Sequence, residues 1–170
     1  MKSFRTLIAC TAAICILAGG GQAESFGTPV GPVILTVVGL DTETFPGGEV
    51  AFDVDMLRAL GEVEMTTSTI WTDGANVYTG ISLKTLAAAL EIENDLLKLH
   101  ALNDYAIEFP ASEAYDDGPI LAYLTDGAQM SVRDKGPVWL IYPFDTNRKY
   151  RTDIAFSRSI WQLDRIEVMR

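Results

Sequence analysis

Three short segments of this chain hold the residue types from which a binding site can be built. Thr66-Thr67-Ser68-Thr69-Ile70-Trp71-Thr72-Asp73-Gly74 combines a run of hydroxyls with an indole and a carboxylate. Gly136-Pro137-Val138-Trp139-Leu140-Ile141-Tyr142-Pro143 carries a second indole and a phenol. Ser157-Arg158-Ser159-Ile160-Trp161 sets a guanidinium between two hydroxyls, ahead of a third indole. Each segment also has a plain structural explanation. The threonines suit the solvent face of a strand, Trp139 and Trp161 suit a core, and Arg158 suits a surface ion pair worth ~0–1 kcal/mol. Trp71 stands apart, because it lies on a Gly/Asn loop where a large exposed ring needs a reason.

Thiolate chemistry is confined to the N-terminus. The only two cysteines, Cys10 and Cys15, fall in an apolar run that reads as an export signal. Lys2 and Arg5 form its positive start, Leu7 to Ala18 its apolar core, and Gly21-Gln22-Ala23 its small-x-small cleavage site. The core is about a dozen residues, well short of the roughly 20 that span a bilayer as a helix. The expectation is cleavage after Ala23, a periplasmic protein with no membrane anchor, and one domain over residues 24–170. With a single histidine, His100, and no cysteine, that domain has neither a zinc ligand set nor a disulfide framework. Loss of Lys2 and Arg5 leaves 11 basic residues against 23 acidic ones, a net charge of −12. Such a surface repels nucleic acid and anionic lipid.

The elements that must position these residues follow from local pattern. Val33 to Val38 is a short β-branched run, Pro46-Gly47-Gly48 a turn, and Phe52, Met56, Leu57 and Leu60 fall at helical spacing. Asp53 as N-cap and Gly61 as stop predict a helix over 53–60. Strands are predicted at 63–70, 96–102, 105–109, 120–125 and 138–142, with a helix over 82–90 whose face is Leu83, Leu86, Ala87 and Leu90. Asp126-Gly127 is the strongest hairpin signal, with Met130 to Val132 pairing across it. Residues 154–168 read as β-rich, with Ile160, Leu163, Ile166 and Val168 in the core. The class is α+β, mostly strands with two or three short helices.

Taken in order, these parts resemble a known family. A strand, a polar loop, a Gly80-x-x-Leu83-x-x-Leu86 helix entry, the Lys135-Gly136-Pro137-Val138 strand entry and a terminal strand resemble the molybdopterin-binding domain of sulfite oxidase and its bacterial relatives. The resemblance implies that fold over about 33–168. It also places the family's metal-ligating cysteine near Thr67 to Thr69, where this chain has only alcohols. Alcohols ionise far too weakly to replace a thiolate. The Thr-x-x-Trp-Thr-Asp-Gly and Ser-Arg-Ser-Ile-Trp-Gln-Leu stretches are similar to a smaller group of exported, cysteine-free members. Those bind free reduced pterins and act with the periplasmic sensor domains of membrane-bound cyclic-di-GMP enzymes.

That likeness implies a pterin binder without catalytic residues or a metal. A pterin has an amidine-like donor edge that a carboxylate can accept from, and a flat face on which an aromatic ring can stack. Asp73 is assigned to the edge and Trp71 to the face. Arg158, where the family sets a basic residue against the cofactor, and Ser159 supply further polar contacts, with Tyr105 flanking the pocket. Arg133 and Tyr142 are further candidates. Two other readings stand beside it: a molybdopterin-dependent oxidoreductase or a subunit of one, and an adaptor domain that has lost its ligand.

Overall fold

A computed structural model of the protein describes residues 26–170. The predicted export signal lies outside the described residues. Ten strands and three short α-helices follow in the order β1 (Leu35–Val38), β2 (Glu49–Phe52), α1 (Val54–Ala59), β3 (Glu62–Ser68), β4 (Ala75–Ser82), α2 (Leu83–Ala89), β5 (Leu96–Ala101), β6 (Ala106–Pro110), β7 (Ile120–Thr125), β8 (Ala128–Gln129), β9 (Trp139–Ile141), α3 (Asp153–Arg158) and β10 (Leu163–Met169). They form two sheets. The first has the order β2-β1-β10-β5-β6, with only β1 and β10 parallel. The second has the order β3-β4-β7-β8, and β9 pairs with the part of β7 that β8 leaves free.

Local chemistry accounts for the helices. Asp53 caps α1: one carboxylate oxygen accepts from the Met56 N–H at 2.9 Å. The other accepts from Val30 at 2.9 Å and Gly31 at 2.8 Å, which pins the N-terminal strap against the helix. Ser82 caps α2 by accepting from the Lys84 N–H at 3.2 Å, and Leu83, Leu86, Ala87 and Leu90 are buried as their spacing predicts. The Asp126-Gly127 turn has both residues at positive φ, 49° and 77°, the backbone a two-residue hairpin requires. Ile160, Leu163, Ile166 and Val168 all enter the core, which draws on both sheets without a break.

Four elements differ from the sequence reading. Residues 49–52 form an edge strand, because Phe52 pairs across to Leu35 instead of opening the helix. Residues 75–82 form β4, the centre of the second sheet, where a turn and a helix approach were expected. Met130 to Val132 lies beyond β8, which covers only residues 128–129. Asp153 to Arg158 is helical despite its β-branched and aromatic content, because Thr152 caps it by accepting from the Ala155 N–H at 3.2 Å. The strands at 49–52 and 75–82 are tertiary decisions over weak local preference, whereas the α3 cap is local.

Gly80 sits where β4 crosses β7 at a register shift. A Cβ there would collide with the Leu121 carbonyl oxygen and lie 2.7 Å from the Ala122 Cα, both backbone atoms that cannot rotate away. Gly80→Ala is therefore expected to lower stability by about 1–3 kcal/mol, read as a reduced urea midpoint with an unchanged slope.

Candidate binding site

The loop after β3 sets the indole of Trp71. Thr69 Oγ1 accepts from the Trp71 N–H at 3.0 Å and shares a 2.8 Å hydrogen bond with Thr72 Oγ1. Thr72 Oγ1 lies 3.4 Å from the Tyr78 hydroxyl, so a chain of alcohols closes the loop onto β4. Trp71 is thereby half-buried. Its ring meets Trp139 at 5.9 Å, Phe156 at 6.0 Å and Trp161 at 5.8 Å between centroids, all edge-to-face. Aromatic pairs of this kind contribute about 0.5–1.5 kcal/mol beyond their buried area.

Beside this cluster opens a cavity of about 390 Å³. Small-molecule sites span roughly 300–1,000 Å³. Its walls are Trp71, Ala101, Asn103, Tyr105, Phe156, Ser157, Ser159, Ile160 and Trp161. The β5–β6 turn delivers Asn103 and Tyr105, with Asp104 at its tip at φ 66° and Asn103 Oδ1 accepting from the Tyr105 N–H at 3.2 Å. The end of α3 delivers Phe156, Ser157 and Ser159. No lysine or arginine lines it. A second cavity of about 320 Å³ lies between Gly31, α1 and Tyr123, where the charged side chains and the phenol are already paired. There Arg58 pairs with Asp55 at 2.7 Å and Glu62 at 2.9 Å, and the Tyr123 hydroxyl donates to Glu62 at 2.7 Å.

The fold brings three of the five predicted site residues together: Trp71, Tyr105 and Ser159 share the cavity. Ser159 contributes wall more than polarity. Its hydroxyl donates to the Ala155 carbonyl at 2.8 Å, and its own carbonyl accepts from the Trp139 indole N–H at 3.1 Å. Arg158 is not on the wall. Its guanidinium donates to Glu113 at 2.6 Å and lies 5.1 Å from the centroid of Phe109. Tyr142 stands beside it; burial pushes that phenol up to about 12 against the opposing pull of Arg158. Asp73 is exposed on the loop, outside the lining. Asn103, Phe156 and Trp161 were not chosen from sequence. Trp161 carried a signal, two residues after Ser159, whereas Phe156 was hidden by reading α3 as a strand.

The alcohols at 67–69 are committed elsewhere. Thr67 is fully buried, its Oγ1 donating to the Ser68 carbonyl at 3.2 Å and accepting from the Asp145 N–H at 3.2 Å. Asp145 in turn accepts from the Ser68 N–H at 2.6 Å, the Ser68 hydroxyl at 2.8 Å and Arg151 at 2.9 Å. Those hydrogen bonds, led by the Ser68 N–H, hold the Asp145 carboxyl below its usual range. A segment of neutral hydroxyls tied to a carboxylate offers molybdenum no soft ligand. Among the described residues no group of three or more His, Cys, Asp or Glu side chains is placed to hold a metal. Among the described residues, those at 67–69 do not fit molybdenum.

Among solved structures, the chain is similar to the sulfane dehydrogenase SoxCD of Paracoccus pantotrophus, with a TM-score of 0.56 and 14% identity. The match covers 81% of this chain and 38% of that one, so the chain spans well under half of the enzyme's length. The fold is of the sulfite-oxidase type. At that identity the likeness is one of fold alone. No family model and no curated protein matches the sequence.

Thr67→Val keeps the shape of Thr67 but strands the Asp145 N–H, and should cost about 1 kcal/mol in urea denaturation. Asp145 also sets a pH response. A carboxyl with a depressed folded-state pKa stabilises fully above its unfolded value, near ~3.9, and loses that contribution as pH falls through the folded value. Asp145→Asn should therefore show a shallower loss of thermal stability below about pH 4 than the parent protein.

Proposed function

We propose that this protein binds a free reduced pterin in the periplasm and relays its presence to the sensor domain of a membrane-bound cyclic-di-GMP enzyme. One observation carries the reading: a sulfite-oxidase-type fold with an aromatic-walled cavity and, at positions 67 and 68, alcohols already engaged with Asp145. Trp71, Tyr105, Phe156 and Trp161 provide planes for stacking on a flat bicycle. Asn103 offers an amide with both donor and acceptor capacity for the pterin's polar edge. In this reading Arg158 braces α3 through Glu113, and Asp73 belongs to the loop that carries Trp71. The pterin is a ligand here, and no step of chemistry is assigned to the protein.

The fold likeness to SoxCD favours one alternative, a molybdopterin-dependent oxidoreductase or a subunit of one. Mass spectrometry of the small molecule released from protein purified out of the periplasm separates the two. A phosphate-free pterin is the expected result; intact molybdopterin would overturn it. Tyr105 is 52% exposed, so its truncation tests the site without unfolding the protein. Tyr105→Ala should raise the dissociation constant for a reduced pterin roughly 5- to 150-fold, the equivalent of about 1–3 kcal/mol, in a tryptophan-quenching titration.

A further inference from the structure

Large apolar side chains stand exposed on the three segments that wall the aromatic cavity. Ile70 is 67% exposed, Leu102 48%, Tyr105 52% and Ile154 63%. They belong to three segments that the cavity brings together. Ile70 precedes the wall residue Trp71, and Leu102 lies between the wall residues Ala101 and Asn103. Ile154 is one turn before the wall residue Ser157 on the same side of α3, and its carbonyl accepts from the Ser157 hydroxyl at 2.9 Å. Single exposed apolar residues need no explanation, but four around one opening mark an interaction surface.

The charges on these three segments have one sign. Asp73, Asp104 and Asp153 are exposed on the same three segments, and residues 70–74, 102–105 and 153–157 include no lysine or arginine. Of the cations on adjoining segments, Arg151 pairs with Asp145 at 2.9 Å and Arg158 with Glu113 at 2.6 Å, and Lys135 lies over the Trp161 ring at 4.8 Å. An apolar centre with an acidic rim selects its occupant. A second copy would set acid against acid, and an anionic bilayer would be repelled.

We infer that the cavity mouth is a docking surface for another protein, through an apolar segment flanked by lysine or arginine. The apolar centre supplies contact, and the acidic rim supplies orientation and association rate. The surface goes beyond the pterin reading and does not depend on what fills the cavity.

A fluorescein-labelled amphipathic peptide of leucine and lysine serves as the probe, with fluorescence anisotropy as the readout. The parent protein should bind it with strong salt dependence and should not bind the counterpart in which glutamate replaces lysine. Asp104→Lys with Asp153→Lys, and separately Leu102→Ser with Ile154→Ser, should each weaken binding roughly tenfold or more. Glu93→Lys, an exposed site beyond the opposite end of β5, should leave binding within about twofold. All changes are at exposed positions, and an unchanged thermal midpoint confirms the fold. Absent binding, equal loss in Glu93→Lys, or unaltered binding in both mouth variants would overturn the inference. So would association with phosphatidylglycerol vesicles, or dimerisation abolished by the same mouth substitutions.

Discussion

Trp139 joins the two sheets, and the position of the candidate site depends on how its side chain is buried. It is 1% exposed on β9, edge-on to Trp71 and to Tyr78, whose ring centroid lies 5.5 Å away. A buried indole N–H without an acceptor would cost about 1–3 kcal/mol. The acceptor is the Ser159 carbonyl at the end of α3, 3.1 Å away. One hydrogen bond thus ties the second sheet to the helix that precedes the central strand of the first. The Leu140 N–H to Ile160 carbonyl and Leu163 N–H to Val138 carbonyl bonds, each 2.9 Å, extend the same seam.

That seam explains the geometry of the cavity. Because Ser159 is fixed from below by Trp139 and from within α3 by Ala155, the helix end and Trp161 are held against Trp71. The opposite wall is a hairpin turn with its own local hydrogen bond, so it needs little support from the core. Arg158, between two wall-side residues, points the other way because a six-residue helix cannot direct consecutive side chains to one face. Its pairing with Glu113 fastens α3 to the turn that follows β6.

Comparison with the sulfite-oxidase-type fold turns on the stretch at 67–69. A thiolate needs access to a metal, whereas here the buried Thr67 and the Asp145 carboxylate close the same stretch with hydrogen bonds. The loop that follows this stretch carries Trp71 to the wall of the aromatic cavity.

Elements with strong local signals were legible in the chain. The Asp53 cap, the Leu83-Leu86-Ala87-Leu90 face, the Asp126-Gly127 hairpin and the buried terminal positions all have short-range causes. Trp71 was expected as an exposed ring on a polar loop, and it is instead half-buried against Trp139, Phe156 and Trp161. The strands at 49–52 and 75–82 were not legible, because β2 is defined by its pairing with β1, and β4 by its pairing with β3 and β7, more than by any local pattern of their own. Nor was α3, where Ile154 and Phe156 suggested strand and the Thr152 cap was not picked out. The chain alone determined which residues are apolar, capped or charged, since those are properties of a residue and its neighbours. Which side chains face one another was decided only by tertiary structure: Tyr105 toward Trp71, Arg158 toward Glu113. Such facing depends on the register of sheets that close over dozens of residues, and no local pattern encodes it.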